Sequence, residues 1–518
     1  MRAGGICFTP GPFLVLFPQM KTFAALFVLC ALPLITHAGI KAGFAERDIT
    51  PEIGMEVPGG YGKAFAKRIH DPCKVRASVF DDGKMRVALV GLDALVVPRQ
   101  IVVEARERIR ERCGIAPEAV MIGASHSHSS GPVGMVLPGE FDHASELAKD
   151  LAYNQSSCAD AKYLATVTAA IVEAVVAADA AREDATVGFG TGTEPAVGFN
   201  RRIRMKNGLS FSHPGKGNPG NVAYAGPTDP QVGVIGVWNA DGRLLGCVVN
   251  FSCHATANGP WVSANWPHYM ERAIQGYFGK AAGVVFLQGA CGDVTQVDNL
   301  GPHANPDGDA WSQFVGGRVG AEAVKVLLGM SQTRVSEVPL ATKVKSWTIP
   351  RRAPAPERVA AAVELAKKGA KDGGADWVWA KETVLLDALL AKHPAVEVEV
   401  QAIQVGPVVC LANPAEYFCQ YGLDLKAGSG FPITFPVELA NGCVGYVPTE
   451  EAFGEHGGGY ETRLTSYSNL EITAGRQIRD ASLELARQLT PAPLPQPPLA
   501  PPFKGEGWTY GNQPPQLK

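Results

Sequence analysis

The sequence predicts an α/β fold with mixed β-sheets flanked by helices, and two observations support this. Apolar runs of strand length alternate with helical apolar spacing through the first half of the chain. Two other segments have the pattern of antiparallel hairpins, which an all-parallel sheet would not contain. With 518 residues, 46% of them hydrophobic, the chain is long enough to bury a large core without crosslinks.

The alternation of strand and helix is clearest near residue 100. The run 86–92 is apolar and of strand length, and 119–123 is a second strand of the same kind. Between them, 99–113 has helical apolar spacing and is followed by Gly114, a residue typical of a helix C-terminus. This order predicts a strand, a helix and a second strand.

Two hairpins follow further along the chain. The strands 232–238 and 244–251 flank Asn239-Ala240-Asp241-Gly242, where Asp-Gly is expected to supply the positive φ angles of the turn. The strand 396–405 alternates apolar and polar residues, turns at Gly406-Pro407 and continues to residue 412. The sheets are therefore predicted to be mixed.

A segment rich in Ala, Leu, Lys and Glu, 356–392, separates these hairpins. Such a composition favours helix, and Gly373-Gly374 is expected to break it into a helical hairpin. We expect this hairpin to be an insertion that lies outside the sheet core.

The first 38 residues have the pattern of a signal peptide. Met20-Lys21 precedes an apolar run, 23–35, and then Thr36-His37-Ala38. The apolar run is shorter than the ~20 residues that a spanning helix needs. We therefore expect export to a bacterial periplasm or the extracellular space, with Met20 as a possible true start.

One catalytic domain is expected over 42–489, because no linker, low-complexity stretch or repeat interrupts it. A proline-rich tail, 490–518, is expected after it. The formal charge is −3, from 47 basic and 50 acidic side chains, and no basic stripe is present. Nucleic acid is thus excluded as an expected partner.

Residues that could bind a metal follow the ends of four apolar strands, where a sheet edge presents them to a shared crevice. His126 and His128 lie in Ser125-His126-Ser127-His128-Ser129, and in an extended segment residues two apart share a face. A surface or hydrogen-bonded pair is the alternative. His254 follows the strand 244–251, although a lone histidine of this kind is more often a core residue.

The other two strand ends carry a glycine-rich turn and a carboxylate. Gly289-Ala290-Cys291-Gly292-Asp293 could present backbone N–H groups to a ligand, or could be an ordinary tight turn. Glu416 follows an apolar strand, and alone it would be interpreted as a solvated residue at a helix start. The combination of the four places carries more weight than any one of them.

Taken together, these segments resemble the neutral and alkaline ceramidases over about residues 43–489, in order along the chain. The matching segments are Gly43-Phe44-Ala45-Glu46-Arg47-Asp48-Ile49-Thr50-Pro51, Gly60-Tyr61-Gly62, the His126 and His128 segment, Asn200-Arg201, His254, Gly292-Asp293, Glu416 and Gly445-Tyr446-Val447-Pro448-Thr449-Glu450-Glu451. The resemblance implies a layered αββα catalytic domain.

The resemblance also implies a metal centre. One zinc ion per chain would be held by His126, His254, Glu416 and Tyr446. His128 would lie just outside this cluster, where it would orient a ligand or move a proton.

Two further residues are implied to stabilise charge. Arg201 matches an arginine that binds the scissile carbonyl oxygen. Tyr460 matches a second tyrosine near the zinc, although it lies two residues further from Tyr446 than in the family pattern.

Two features depart from the family. Thr295 stands where the family has a serine that is assigned as the nucleophile, so either the Thr295 hydroxyl or a zinc-activated water would attack. The family also has a β-rich C-terminal domain, whereas this sequence ends in its proline-rich tail. Membrane contact is therefore left open.

The predicted function is zinc-dependent hydrolysis of the amide bond in an N-acyl substrate, with ceramide as the first candidate and another lipid amide or an N-acylated amino acid as the second. Two other hypotheses are kept. The chain could be a non-catalytic zinc- or ligand-binding relative that lost the reaction at Thr295, or a two-metal phosphoesterase that uses His126, His128 and Asp293.

Overall fold

The computed structural model describes residues 6–12, 14–16, 39–256, 261–505, 507–511 and 513–518. The chain divides into two units, Met1–His37 and Ala38–Lys518. The predicted signal peptide lies outside the described residues except for 6–12 and 14–16, which have no regular secondary structure. The second unit contains the regular secondary structure considered below.

Helices and strands alternate in the described residues. The α-helices are α1 (Arg99–Cys113), α2 (Glu146–Tyr153), α3 (Ala161–Ala180), α4 (Trp266–Phe278), α5 (Gly308–Gly329), α6 (Pro356–Ala366), α7 (Ala370–Lys392), α8 (Cys419–Gly428) and α9 (Ala474–Arg487). The strands are β1 (Lys41–Asp48), β2 (Lys74–Asp81), β3 (Arg86–Leu92), β4 (Val120–Ala124), β5 (Glu183–Thr193), β6 (Phe199–Asn200), β7 (Arg202–Met205), β8 (Ser210–Ser212), β9 (Asn221–Tyr224), β10 (Gln231–Asn239), β11 (Leu244–Phe251), β12 (Gly283–Gln288), β13 (Val294–Thr295), β14 (Leu340–Pro350), β15 (Ala395–Val405), β16 (Val408–Ala412), β17 (Glu416–Tyr417), β18 (Ile433–Val437) and β19 (Tyr446–Val447).

Two sheets form the centre of the fold. The larger has the strand order β12-β11-β10-β5-β1-β2-β3-β4, and the smaller has the order β14-β15-β16-β18. Both are mixed: β3 pairs with β4, β11 with β12 and β16 with β18 in parallel, and the other neighbours pair antiparallel. The predicted α/β class with mixed sheets is confirmed.

The side chains of the smaller sheet alternate between two cores, as the two-residue period of a strand requires. In β16, Cys410 and Ala412 face the larger sheet, and Val409 and Leu411 pack against α8 and α9. Helices also cover the outer face of the larger sheet, where Val284 and Phe286 of β12 pack with α4 and α5. These contacts give the layered αββα arrangement.

Several individual predictions are confirmed. The strand 86–92 and the helix 99–113 have the predicted bounds, and Gly114 ends the helix with φ 74°. Both predicted hairpins are present, as β10–β11 and β15–β16. In the first, Gly242 alone of the Asp-Gly pair takes a positive φ, 77°, so the expectation for Asp241 was wrong.

The segment 356–392 forms a helical hairpin, α6 and α7, with a small core of its own. Trp377 and Leu385 of α7 pack with Ala362 of α6 and with Leu151 of α2, outside the sheet cores. The hairpin turns at 367–369, between α6 and α7, and not at the predicted Gly373-Gly374. The chain does leave helical geometry at Gly374 (φ 57°, ψ −149°), within α7. The hairpin is therefore a separate packing unit, as expected.

Among the described residues, one helix is long and apolar enough to cross a membrane by length and composition. This helix is α3, with a mean hydropathy of 1.6. More than half of its 18-residue apolar window, 56%, is buried within the protein, and Val167 and Ile171 belong to the main hydrophobic core. Its composition is thus explained by packing against β1 and β2.

Candidate metal centre and active site

Three histidines and a glutamate converge beyond the ends of the central strands. His126 follows β4 and His254 follows β11, and their ring nitrogens lie with those of His128 within 4.8 Å of one another. Glu416, just beyond β16, places Oε2 at 3.3 Å from His126 Nε2 and 3.7 Å from His254 Nε2. All four side chains are buried or nearly so. The structure thus brings together residues from three distant parts of the chain.

Backbone carbonyls fix the orientation of the two most buried imidazoles. His126 Nδ1 lies 2.9 Å from Leu95 O, and His254 Nδ1 lies 2.8 Å from Cys291 O. A carbonyl oxygen only accepts, so each Nδ1 carries the hydrogen, an assignment made from the bonding partners. The lone pair of each Nε2 is then available on the side of the cluster. This is the tautomer that a metal-binding imidazole needs.

Glu416 makes the cluster attractive to a cation. Its Oε2 is buried without a hydrogen-bond partner. Although burial opposes ionisation, the imidazoles of His126 and His254 hold the pKa of Glu416 well below its usual range. In the same way the carboxylate outweighs burial and raises the pKa of His126. A buried carboxylate that faces imidazole nitrogens fits a divalent metal ion, whose charge would compensate it.

The backbone at His126 differs from the prediction. The histidines were expected on one face of an extended segment, but His126 has φ 61°, in the left-handed region that few non-glycine residues adopt. Ser127 then forms a parallel bridge to Ala255, next to His254. The chain thus turns at His126, and the rings of His126 and His254 lie 4.5 Å apart between centres. Backbone strain of this kind is common at functional sites.

His128 lies closer to the cluster than its predicted outer position suggests. Its Nε2 is 3.1 Å from His126 Nε2, and its Nδ1 is 3.1 Å from Gly59 O. Gly59 has φ 104°, and a Cβ there would fall 2.6 Å from His128 Nδ1. Burial and the neighbouring His126 lower the pKa of His128 to about 3. The role of His128 stays a prediction.

Tyr446 is aligned with Glu416 by the backbone. β17 and β19 pair in parallel with Glu416 directly opposite Tyr446, so the two side chains are on the same face. The Tyr446 hydroxyl lies 3.2 Å from that of Tyr460. Burial and the Glu416 carboxylate raise the pKa of Tyr446 well above its usual value. Coordination as a phenolate would therefore need a metal ion to lower it.

Arg201 lies between the histidines and the tyrosines. Its Nη1 is 3.1 Å from His254 Nε2, its Nη2 donates to Gly292 O at 2.7 Å, and its Nε donates to Glu461 at 2.7 Å. The guanidinium carbon is 4.9 Å from the centre of the Tyr460 ring. Sequence reasoning assigned no role to Glu461, which is fully buried and holds the arginine in place.

The glycine-rich turn after β12 is structural. Three of its N–H groups have protein partners: Gly289 N donates to Phe251 O, Cys291 N to Glu438 and Gly292 N to Tyr417 O. Of the two interpretations that the sequence left open, these bonds favour the ordinary tight turn. A Cβ at Gly292 would fall 2.5 Å from Glu416 O, so the close approach of the turn to the Glu416 backbone requires glycine there.

Asp293 and Thr295 are buried, and their side chains have hydrogen-bond partners outside the histidine cluster. The Asp293 carboxylate accepts from Cys419 N at 2.8 Å and from Asn200 Nδ2 at 2.7 Å. Both of its oxygens therefore have partners, which argues against the two-metal hypothesis. Thr295 Oγ1 accepts from Val297 N at 3.2 Å, and Thr295 is not among the residues that line the adjoining cavity.

A cavity of about 500 Å³ opens onto the cluster. His126, His128, Glu416, Tyr446 and Tyr460 form one wall. The α7 helix forms the opposite part of the lining, and sequence reasoning did not identify it as functional. The cavity residues from α7 are Trp379, Lys381, Glu382 and Leu385.

Aromatic rings connect the two sides of the cavity. Tyr467 lies 6.2 Å from Tyr446, Tyr61 lies 5.8 Å from Tyr467, and Trp379 lies 5.5 Å from Tyr61, between ring centres. Tyr61 belongs to the Gly60-Tyr61-Gly62 segment, which matched the family pattern but was given no role in the sequence analysis. Nothing in the sequence around Tyr467 marks it as a cavity residue.

Comparisons with known proteins concern the sequence and the fold. No family model matches the chain. A neutral ceramidase of Pseudomonas aeruginosa is 24% identical in an alignment 310 residues long that covers 55% of this chain and 42% of that protein. Its crystal structure superposes with a TM-score of 0.65 at 19% identity, over 90% of this chain and 76% of that one. The chain is related to the neutral ceramidases.

A second solved structure supports the same fold. A ceramidase described as complexed with C2 matches with a TM-score of 0.63 and 18% identity, over 90% of this chain and 77% of that chain. The resemblance to the neutral ceramidases that the motifs indicated is thus confirmed. The aligned sequence nevertheless spans less than half of the curated neutral ceramidase.

Proposed function

We propose that this protein is a zinc-dependent amidohydrolase that cleaves the amide bond of an uncharged N-acyl lipid such as ceramide. The observation that carries the proposal is the convergence of His126, His254 and Glu416. His126 and Glu416 also line a cavity, together with Tyr446. The relationship to the neutral ceramidases favours the same reaction, because those relatives are named for it.

The ligand assignment follows the available atoms. His126 and His254 would bind through Nε2, Glu416 through a carboxylate oxygen and Tyr446 through its hydroxyl oxygen. Zinc bound there would polarise a carbonyl group and lower the pKa of a bound water. The lone pair of His254 Nε2 cannot accept the hydrogen bond from Arg201 and bind zinc at the same time. Zinc binding by His254 would therefore release Nη1 of Arg201 for the substrate.

Arg201 and Tyr460 are the proposed stabilisers of the oxyanion that forms when the amide carbonyl is attacked. Arg201 keeps its orientation through Glu461 and Gly292 O, so a fixed positive charge meets the developing negative one. Burial raises the pKa of Tyr460 far above neutrality, and its hydroxyl therefore remains a hydrogen-bond donor.

His128 is the proposed proton carrier. Its lowered pKa keeps the imidazole neutral at pH 7, and Nε2 is the nitrogen that can accept, since Nδ1 is bonded to Gly59 O. In this role His128 takes a proton from the attacking water and gives it to the leaving amine. Water is the proposed nucleophile because the Thr295 hydroxyl is hydrogen-bonded to Val297 N and, among the described residues, to no group that could activate it.

The charges in the cavity wall favour a neutral substrate. Lys381 is fully buried, and its three donors are used by Tyr61 O at 2.6 Å, Ser156 Oγ at 2.7 Å and Glu382 at 3.0 Å. A carboxylate-bearing substrate, such as an N-acylated amino acid, would find that ammonium group already neutralised. A lipid amide without charge meets mainly aromatic and aliphatic side chains.

The test uses zinc-loaded protein with labelled ceramide, an N-acylated amino acid of the same chain length and a simple fatty amide. We expect one zinc ion per chain and release of the fatty acid from ceramide, with at least ~10-fold lower kcat/KM for the carboxylate-bearing amide. Treatment with a chelator should stop release, and added zinc should restore it.

Other outcomes distinguish the competing hypotheses. No release from any amide while zinc is bound would favour the non-catalytic relative. Two metal ions per chain together with phosphate-ester cleavage would favour the phosphoesterase. Faster hydrolysis of the N-acylated amino acid than of ceramide would contradict the inference from Lys381.

A further inference from the structure

The segment that follows β18 passes between three strand ends. Its backbone donates from Glu438 N to Gln288 O, at the end of β12, and from Leu439 N to Ala415 O, next to Glu416. Ala124 N, at the end of β4, donates to Leu439 O. Leu439 has φ 48°, a left-handed value for a residue with a side chain. The segment is therefore held in one conformation by all three strand ends.

Glu438 uses its side chain to join two of these ends. The side chain is completely buried. Its Oε2 accepts from Tyr417 N at 2.7 Å and from Cys291 N at 3.0 Å, and its Oε1 accepts from Cys291 Sγ at 2.8 Å. A single carboxyl group thus satisfies two backbone N–H groups and a thiol that have no access to water.

Both partners of Glu438 are connected to proposed metal ligands. Tyr417 follows Glu416 directly, so fixing Tyr417 N fixes the chain at Glu416. Cys291 O is the acceptor that orients His254 through Nδ1 at 2.8 Å. Glu438 is therefore the link between the segment that carries the carboxylate ligand and the turn that orients an imidazole ligand.

We propose that Glu438 is a positioning residue that sets the separation of Glu416 and His254 and thereby the zinc affinity of the site. The proposal rests on the proposed zinc function. Without an acceptor at this position, Cys291 N and Tyr417 N would be buried and unpaired, and the two segments would move apart to reach other partners. Hydrogen-bond partners of metal ligands typically change metal affinity ~10–100-fold when they are removed.

The experiment compares three substitutions at this position. Glu438→Gln keeps an oxygen for the two N–H groups, and Glu438→Met keeps an unbranched side chain of similar length without any acceptor. Glu438→Asp keeps the carboxylate but is one methylene too short to reach both partners. Zinc dissociation constants are measured on the full chain by competition with a chromophoric chelator, together with the melting temperature of the metal-free protein.

A buried carboxylate elsewhere serves as the matched control. Glu399 of β15 is 5% exposed and pairs with Arg106 and Arg99 of α1, neither of which bonds to a proposed metal ligand. Glu399→Met should lower the melting temperature but leave zinc affinity unchanged. It thus separates a general loss of stability from an effect on the metal centre.

We expect ~10–100-fold weaker zinc binding for Glu438→Met and Glu438→Asp, and binding within about threefold of the unsubstituted protein for Glu438→Gln. Equal zinc affinity in all Glu438 variants, or an equal loss in Glu399→Met, would overturn the proposal. If Glu438→Met does not fold, the comparison of Asp with Gln decides. Failure of the proposed function itself would be seen separately, as absence of zinc binding in the unsubstituted protein.

Discussion

The two walls of the cavity are built in different ways. The wall that carries the metal cluster consists of strand ends, and its imidazoles are held by backbone carbonyls. The wall formed by α7 belongs to a helical hairpin with a separate small core. The first wall is therefore tied to the central sheets, whereas the second can change without disturbing them. The difference suggests that the chemistry and the substrate preference depend on separable parts of the molecule.

The largest loss of activity is expected when histidines of the metal-binding wall are replaced. His126→Ala and His254→Ala should each abolish zinc binding and amide hydrolysis, because each removes a proposed ligand. His128→Ala should retain zinc and lower kcat ~10²–10⁴-fold, the range for loss of a general acid–base group. Metal analysis of the purified variants, with turnover measured in parallel, checks this. Loss of zinc in His128→Ala would show that His128 is itself a ligand.

Arg201 offers the next largest effect on the same wall. Arg201→Lys should lower kcat ~10²–10³-fold, because an ammonium group cannot reach Glu461, Gly292 O and the substrate together. KM should change much less, since the contact is strongest in the transition state. Steady-state kinetics with zinc-loaded protein provides both constants. An increase in KM without a change in kcat would show that Arg201 binds the substrate equally well in the ground state and in the transition state.

Substitutions in the α7 wall should instead change which substrates are preferred. Trp379→Ala should lower kcat/KM for a long-chain amide by roughly 10-fold while leaving a short-chain amide nearly unchanged. Trp377→Ala is the matched control, because Trp377 points into the hairpin core and donates to Ala366 O. The control should cost about 3 kcal/mol of stability without changing the ratio of long- to short-chain rates. If both variants gave the same ratio of long- to short-chain rates, α7 would not determine the preference for acyl-chain length.

The smallest effect is expected at Thr295. Thr295→Ser should change turnover less than about twofold, because the hydroxyl is bonded to Val297 N and lies outside the cavity lining. Burst kinetics with a chromogenic amide would test for an acyl-enzyme at the same time. A clear rise in turnover with Ser would instead identify the hydroxyl as the nucleophile.

The predictability of the two walls differs for a physical reason. His126, His254 and Glu416 could be proposed from the sequence because each follows an apolar strand and because the segments that carry them resemble one family in order along the chain. Each residue alone had an ordinary explanation. Trp379 and Lys381 lie in a helix in which aromatic and basic residues are ordinary, and only the fold shows that they face the cavity. Local pattern cannot report which side of an inserted helix meets a site formed elsewhere.

Backbone geometry and long-range pairing could not be predicted from the sequence either. The left-handed φ of His126 follows from the bridge between Ser127 and Ala255, which are more than 100 positions apart. Glu438 had no motif around it, since its importance comes from Cys291 and Tyr417. By contrast, the strand, helix and hairpin assignments depended on local periodicity and were largely right.

The use of main-chain oxygens to orient the imidazoles has a consequence for divergence. Every amino acid supplies a carbonyl oxygen, so exchange of the side chains at Leu95 or Cys291 leaves the acceptors for His126 and His254 chemically unchanged. A centre oriented by carboxylates would lose that orientation through a single mutation. The residues at these two positions can therefore change during evolution without altering which ring nitrogen of His126 and His254 carries the hydrogen.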